Sequence, residues 1–263
     1  MTFTDCYRTD TTTPAYSLRW SWTGWPSQCA FPTIGDHDWQ SLSDAWDQDG
    51  IRLLEHRCDR EYWQATVSTK PNVVPSIIVA RIKGRIDHLF RSQKAPFKFS
   101  RKVSLRSLGN NTADDVQDYI RKQVDAALFC DPEYAASLKQ FTRVWDDHES
   151  QSPIEVASGR YWYQLHLVLV IDAPHRIRDL EFLGKIFETS QAIALDRGYR
   201  LAAISVMPDH LHISLRGAVA DSPESIALAY LNESSRRLNA NGLWRPSYYV
   251  GTIGAYNMNA VRS

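Results

Sequence analysis

The segment Met207-Pro208-Asp209-His210-Leu211-His212-Ile213-Ser214-Leu215 alternates apolar and polar side chains in its second half. This alternation predicts a β-strand, in which successive side chains point to opposite faces. His210 and His212 would then share one face, with Leu211 on the other. Two imidazoles on one face can bind one divalent ion, although solvent-exposed histidines are the commoner outcome of so short a pattern. The full nine-residue stretch is far less common than a His-x-His pair alone, and this favours the metal site.

The residues around this strand predict a mixed α+β unit. Tyr161 to Ile171 is rich in Val, Leu and aromatic residues and predicts a strand. Leu180 to Asp196 has apolar residues at helical spacing, and Gly198 follows as a terminator. Arg200 to Val206 predicts a short strand, and Ser222-Pro223 predicts the start of a second helix. Antiparallel strands with helices on one face indicate a ferredoxin-like sandwich.

The first half of the chain repeats this pattern. The matched pairs are Tyr16–Trp22 with Tyr163–Leu169, Asp49–Leu53 with Arg197–Leu201, Glu61–Val67 with Asp209–Leu215, Ile77–Leu89 with Ile226–Leu238, and Asn111–Asp118 with Tyr256–Ser263. Each copy reads strand, helix, two strands, helix, then a loop or short strand and a terminal helix. We therefore predict two tandem ferredoxin-like domains, copy one at residues 14–128 and copy two at residues 158–263. A helical linker is expected at residues 129–157.

Copy one also carries a helical tyrosine. Thr112 and Asp115 form a capping-box pattern, which predicts a helix start. Tyr119 and Gln123 are four residues apart and would share a helix face. A tyrosine packed against its neighbours is the commoner outcome, and three other tyrosines compete for a catalytic role: Tyr248, Tyr249 and Tyr256. The first two lie in a strand-like stretch, and Tyr256 falls about two turns short of the position matching Tyr119.

These two segments together resemble the single-tyrosine HUH transposases, which include the insertion-sequence-200/605-like and the REP-associated tyrosine transposases. The resemblance rests on Met-Pro-Asp-His-Leu-His at 207–212 and on Tyr-Ile-x-x-Gln at 119–123. It implies that Tyr119 is the nucleophile and that Gln123 joins His210 and His212 in holding Mg or Mn. It also implies single-stranded or hairpin DNA as partner, and metal-dependent nicking and rejoining through a 5′-phosphotyrosine intermediate.

The two copies differ in a complementary way. Copy one has Tyr62 and Gln64 where copy two has His210 and His212, and neither a phenol nor an amide replaces an imidazole pair. The alignment of copy two reaches Ser263 opposite Asp118, one residue short of a second tyrosine. Family members often work as dimers whose tyrosine helix reaches the partner's His pair. A crossed arrangement here would give one composite site per chain.

Composition sets the remaining expectations. The chain has 263 residues and zero net charge, without a stretch of apolar residues long enough to span a membrane or a secretory signal. Four scattered cysteines suit a reducing compartment, so a cytoplasmic, nucleoid-associated protein is expected. Residues 81–106 hold nine Lys and Arg against one acid. The predicted DNA-binding cations are Lys83, Arg85, Arg91, Lys98, Arg101, Arg236, Arg237 and Arg245.

Two functions are carried forward. The first is a transposase-like enzyme, a single-stranded DNA endonuclease and strand transferase. The alternative is a non-catalytic, domesticated protein that binds hairpin or single-stranded DNA. For the enzyme, one site per chain suggests either a homodimer of these pseudo-dimers or a host enzyme that nicks and rejoins DNA.

Overall fold

The described residues form an α+β structure with two six-stranded sheets. The computed structural model describes residues 5–27, 31–59, 61–127, 129–146, 148–172 and 177–255. Within these residues no helix is long and apolar enough to cross a membrane.

Copy one begins with a short strand and contains two long helices. Its elements are β1 Thr13–Ser17, β2 Arg19–Pro26, α1 Asp36–Gln48, β3 Ile51–Cys58, β4 Trp63–Thr69, α2 Pro75–Ser92, β5 Phe99–Leu108, α3 Ala113–Arg121 and α4 Gln123–Ala126. Strand β5, at ten residues, is longer than the loop or short strand predicted there.

The remaining elements form the connection and copy two. The connection holds α5 Pro132–Leu138, a 3-10 turn Lys139–Phe141, β6 Thr142–Val144, α6 His148–Gln151 and β7 Ile154–Val156. Copy two holds β8 Gly159–Trp162, β9 Gln164–Ile171, α7 Leu180–Arg197, β10 Arg200–Val206, β11 His210–Arg216, α8 Pro223–Arg237 and β12 Trp244–Thr252. Strand β12 is again long, at nine residues. The terminal helix predicted beyond it lies outside the described residues.

The same four-stranded antiparallel core appears in both sheets. In copy two the order is β12-β9-β11-β10, and in copy one it is β5-β2-β4-β3. When the four strands are numbered along each copy, the strand order in both sheets is 4-1-3-2. In each copy one helix connects strands 1 and 2, and another connects strands 3 and 4. The predicted pair of tandem ferredoxin-like units is therefore confirmed.

Each sheet also contains a strand from the other copy. Strand β1 of copy one pairs in parallel with β12 of copy two, and β8 of copy two pairs in parallel with β5 of copy one. The predicted strand Tyr161–Ile171 is accordingly divided between two strands. Strand β8 ends at Trp162 in the sheet of copy one, and β9 begins at Gln164 in the sheet of copy two. This reciprocal exchange locks the two copies together.

Hydrogen bonds at the junction show which residues are equivalent. The backbone N–H of Arg19 donates to Thr252 Oγ1 at 2.9 Å, and that of Gln164 donates to Ser107 Oγ at 3.2 Å. Arg19 therefore corresponds to Gln164, and Ser107 to Thr252. The predicted match of Tyr16–Trp22 with Tyr163–Leu169 is wrong by two residues. The equivalents of His166 and Val168 are Ser21 and Thr23.

Two equivalent glycines allow the copies to approach closely. Gly109 N–H donates to the Gly254 carbonyl at 2.8 Å. A β-carbon on Gly109 would lie 2.3 Å from the Thr252 carbonyl oxygen, and one on Gly254 would lie 2.4 Å from that of Ser107. Both distances are far inside van der Waals contact, so the junction requires residues without a side chain at these positions.

The helical linker predicted for residues 129–157 is not purely helical. Its strand β6 pairs with β10 at the edge of one sheet, and β7 pairs with β8 at the edge of the other. Strands from the connection therefore pair with strands of the neighbouring copies. The division into residues 14–128, 129–157 and 158–263 remains a prediction.

Candidate active site

Helix α3 of copy one lies on the sheet of copy two. Thr112 caps the helix, and its side chain and that of Asp115 each accept a hydrogen bond from the other residue's backbone N–H. The predicted capping box is present. Val116 and Ile120 are buried in an apolar cluster with Ala203 of β10. Burial of this apolar face fixes the helix across the copy boundary.

Tyr119 lies next to the histidines of copy two. Its ring centroid is 5.3 Å from that of His212, in an edge-on arrangement, and 6.1 Å from that of His166. The side chain is 52% exposed, although the turns on either side of it are anchored by buried Val116 and Ile120. The phenol is therefore accessible to a large ligand and is held by a fixed backbone.

His210 is oriented by its neighbour Asp209. The Nδ1 atom lies 2.6 Å from Asp209 Oδ1, a distance at which an imidazole N–H donates to the carboxylate. In the neutral imidazole this hydrogen bond leaves the Nε2 lone pair free. The Nε2 atom points towards copy one.

Gln123 offers its amide oxygen to that nitrogen. Its Nε2 donates to the backbone carbonyl of Tyr119 at 3.2 Å, which turns Oε1 towards His210 Nε2 at 3.5 Å. Gln123 is buried. An amide oxygen is an acceptor, and the Nε2 of an imidazole whose Nδ1–H donates to a carboxylate would be one too, so a cation between the two atoms would satisfy both.

His212 is held by a second histidine, His166 of β9. The His212 Nδ1 and His166 Nε2 atoms lie 3.0 Å apart, and the two rings stack at 5.2 Å. Burial lowers the pKa of His166 to about 4. Burial, together with His166 and His210, lowers the pKa of His212 to about 2. Both imidazoles are thus neutral near pH 7, as a metal ligand must be.

The structure therefore brings together all four residues of the predicted site, Tyr119, Gln123, His210 and His212. In the part of the chain that the structure describes, no three His, Cys, Asp or Glu side chains gather into a metal-binding group. A site here depends on the Gln123 amide as its third donor. A cavity of about 390 Å³ beside the histidines is lined by Asn111, Asp115, Val116, Tyr119, His166, Val168, His212 and Tyr249.

Sequence reasoning missed His166 and set Tyr249 aside as part of a strand. His166 lies between Leu165 and Leu167, both buried, so strand alternation could have placed it on the polar face with the His pair. Tyr249 is 38% exposed and lines the same cavity as Tyr119, whereas its neighbour Tyr248 is buried in the core. Tyr256 lies outside the described residues.

The equivalent position in copy one holds no imidazole. Gln64 is buried and donates from Nε2 to Ser21 Oγ at 3.0 Å. This hydrogen bond joins the same two strands as the His212–His166 contact does. Tyr62 is half-buried beneath the Arg57 guanidinium, which lies 5.9 Å from its ring centroid. At this position, therefore, the Gln64 amide of copy one already has a partner within the chain.

The predicted DNA-binding cations fall into two groups. Four have partners within the chain: Lys83 donates to the Ser100 carbonyl, Arg91 donates to the Asp87 carbonyl, Arg85 pairs with Asp49, and Arg237 pairs with Asp196 and Glu233. The other four are exposed: Lys98, Arg101, Arg236 and Arg245. The role of all eight in DNA binding remains a prediction.

Comparison with known proteins identifies the class. A family model described as "Transposase IS200 like" matches residues 31–123 and, separately, residues 160–263. The two matches together span more than half of the chain, which therefore belongs to the IS200-like transposase family, a family of DNA-processing enzymes. The resemblance to single-tyrosine transposases predicted from the sequence is confirmed, and the double match agrees with a tandem duplication.

Individual relatives match over a single copy. The ISDra2 transposase TnpA of Deinococcus radiodurans is 29% identical over 115 residues, which cover 38% of this chain and 82% of that protein. A solved structure of a D. radiodurans protein assigned as a transposase is 23% identical, with a TM-score of 0.32 and coverage of 38% of this chain and 82% of its own. A REP-associated tyrosine transposase bound to a REP hairpin is 14% identical, with a TM-score of 0.31 and coverage of 38% and 60%.

Proposed function

We propose that this chain is a metal-dependent transposase-like enzyme that nicks and rejoins single-stranded DNA in one composite active site. The observation that carries the proposal is the crossed placement of α3. Tyr119 of copy one lies against His212 of copy two, and the Gln123 amide oxygen faces His210 Nε2 at 3.5 Å. Among the residues that the structure describes, neither copy alone holds both halves of this arrangement.

Tyr119 would act as the nucleophile. Its oxygen attacks the scissile phosphorus, and the bond from phosphorus to the 3′-oxygen breaks. The phenol gives up its proton to solvent, and the departing strand end takes one up as a 3′-hydroxyl. The product is a 5′-phosphotyrosine link, which conserves the energy of the broken bond for rejoining by the reverse step. The half-exposed position of Tyr119 admits a DNA strand.

His210, His212 and Gln123 would hold Mg or Mn. When bound, the ion supplies positive charge that polarises the phosphate oxygens. Asp209 and His166 orient the two imidazoles through hydrogen bonds to their Nδ1 atoms at 2.6 and 3.0 Å. Such supporting contacts fix which ring nitrogen is free to act as a ligand.

The alternative is a non-catalytic protein that binds hairpin or single-stranded DNA. The observation in its favour is copy one, whose equivalent position is closed by the hydrogen bond from Gln64 to Ser21. Because the site of copy one has no metal-binding imidazoles, this alternative holds that the composite site has lost its catalytic activity as well.

A covalent-trapping experiment separates the two functions. The protein is incubated with Mn²⁺ and a library of labelled single-stranded hairpin DNAs, and products are resolved on a denaturing gel. The enzyme predicts a protein–DNA adduct that Tyr119→Phe abolishes. Tyr249→Phe is the matched control, because Tyr249 lines the same cavity and should leave the adduct intact. Tight binding without an adduct on any library member would favour the alternative.

A further inference from the structure

A second cavity lies on copy one, where its sheet corresponds to the catalytic face of copy two. It measures about 380 Å³ and is lined by Trp25, Ser100, Lys102, Val103, Ser104, Arg106, Gly159, Arg160 and Trp162. Trp25, Lys102, Arg106 and Trp162 are here named the tryptophan–arginine surface. It is built from β2 and β5 of copy one together with β8, the strand that copy two contributes.

The location of this surface follows from the internal symmetry. Ser107 corresponds to Thr252, so Ser104 corresponds to Tyr249, and Arg106 to Gly251. Ser104 lines the cavity in copy one, as Tyr249 lines the candidate active site in copy two. Copy one therefore keeps a concave site at the equivalent place, with cationic and aromatic side chains near it instead of imidazoles.

The cation at its centre has no acidic partner in the described part of the chain. The Arg106 guanidinium lies 4.4 Å from the centroid of the Trp162 ring, and no described carboxylate forms an ion pair with it. Burial lowers the pKa of Arg106, because a charge in this place is poorly solvated. Lys102 is exposed, whereas Arg160 already pairs with Glu155 at 2.9 Å. A negatively charged ligand beside Arg106 would compensate for the solvation that the guanidinium loses on burial.

Tryptophan faces beside such cations favour a polynucleotide over a simple anion. Trp25 and Trp162 are both partly exposed. Bases stack on aromatic side chains while phosphates contact Lys and Arg, and this combination recognises single strands, whose bases are free to unstack. A duplex stem presents only its phosphates to such a surface.

We propose that the tryptophan–arginine surface binds a second segment of the single-stranded DNA substrate, which it holds without cutting. Bases stack on Trp25 and Trp162, and phosphates contact Lys102 and Arg106. This inference rests on the proposed function in one respect, that the substrate is single-stranded DNA. The degenerate copy then acts as a clamp for the strand that is cut in the composite site.

The test measures the binding of a fluorescent 30-nucleotide single strand by anisotropy, in a Tyr119→Phe background that prevents covalent capture. Arg106→Ala and Trp162→Ala should each weaken binding by about tenfold. The matched control is Arg143→Ala, since Arg143 also lies over a tryptophan, 4.9 Å from the Trp145 ring centroid, but at the edge of the other sheet. Affinity equal to that of the parent in both surface variants would overturn the proposal.

A second measurement needs no substitution in the tryptophan–arginine surface, so it does not depend on the folding of the surface variants. The Tyr119→Phe parent is irradiated with a 5-bromouracil-substituted single strand, and crosslinked peptides are identified by mass spectrometry. Crosslinks at Trp25 or Trp162 are expected, and a duplex of the same sequence should give none there. Crosslinks confined to other peptides, or given equally by the duplex, would contradict the proposal.

The result is separable from the proposed chemistry. With Tyr119 intact, a short oligonucleotide spanning only the scissile site should form the adduct equally well in wild-type and Arg106→Ala protein. If the surface variants lose long-strand affinity and the wild type forms no adduct, the proposed DNA-binding surface is supported and the proposed enzymatic function is contradicted. If the wild type forms the adduct and the surface variants keep their long-strand affinity, the enzymatic function is supported and the surface is contradicted.

Discussion

The two copies of this chain share a backbone plan and differ in chemistry. In copy two, His212 and His166 meet at 3.0 Å across neighbouring strands, and in copy one Gln64 and Ser21 meet at 3.0 Å at the equivalent place. A hydrogen bond between the two strands is present in both copies. A hydrogen bond between these two strands therefore does not require imidazoles, which at this position only copy two has.

The division of labour explains how one site survives. Copy one supplies α3, with Tyr119 and Gln123, and copy two supplies His210 and His212. Helix α3 docks on the sheet of copy two through buried Val116 and Ile120, and the exchanged strands hold the copies in register. A tandem arrangement therefore fixes within one chain what separate subunits would have to assemble.

The largest expected difference between the copies concerns the imidazole pair. His210→Ala and His212→Ala should each slow adduct formation by roughly a thousandfold, because a bound cation loses a ligand. The equivalent changes Tyr62→Ala and Gln64→Ala should leave the initial rate within about twofold of wild type. Rates are read from gel-resolved adduct over time. A comparable loss on both sides would show that copy one also takes part in the chemistry.

A smaller effect is expected for the residue that orients His212. His166→Ser gives copy two the residue that copy one has at Ser21, and it should lower the rate by about 10–100-fold. Raising the Mn²⁺ concentration should recover much of the rate, because the variant weakens ion binding and leaves Tyr119 in place. Ser21→Ala serves as the control. A rate that fails to respond to Mn²⁺ would point to a purely structural role for His166.

The smallest effect concerns stability in acid, measured with EDTA present. The folded chain holds His166 neutral down to a pKa of about 4, whereas an unfolded histidine takes up a proton below about 6.5. The free energy of unfolding should therefore fall as pH drops from 6.5 towards 4. In His166→Ser this slope should be shallower by up to about 1.4 kcal/mol per pH unit. Ser21→Ala should leave the slope unchanged, since serine does not ionise. Parallel curves for wild type and His166→Ser would argue against a buried neutral imidazole.

Local patterns predicted much of the fold and the candidate site. Strand alternation located β11 and its His pair, and the capping box located α3. The pairing of β1 and β8 with the opposite sheets was not predictable, because alternation shows which face of a strand is apolar and not which strand lies beside it. The two-residue error at Tyr16–Trp22 has a related cause. A shift of two leaves every side chain on its original face, so the pattern cannot detect it.

The complete set of site residues could be identified only from tertiary contacts. Strand alternation predicts a polar face for His166, but only the pairing of β9 with β11, where Ser214 lies opposite His166, shows that this face carries the His pair. Lys83, Arg85 and Arg237 carry charges that sequence alone presents as free, yet carbonyl and carboxylate groups distant in sequence engage them. Charge runs in a sequence therefore overestimate the cations available to a nucleic acid.

Mixing two inactive variants tests the composite site most directly. Tyr119→Phe lacks the phenol, and His212→Ala lacks an imidazole. If the site forms within one chain, an equal mixture of the two folded proteins gives no covalent adduct with hairpin DNA, although wild-type protein does. If the mixture regains a substantial fraction of the wild-type adduct, Tyr119 of one chain works with the His pair of another, and the account of a self-contained pseudo-dimer is contradicted.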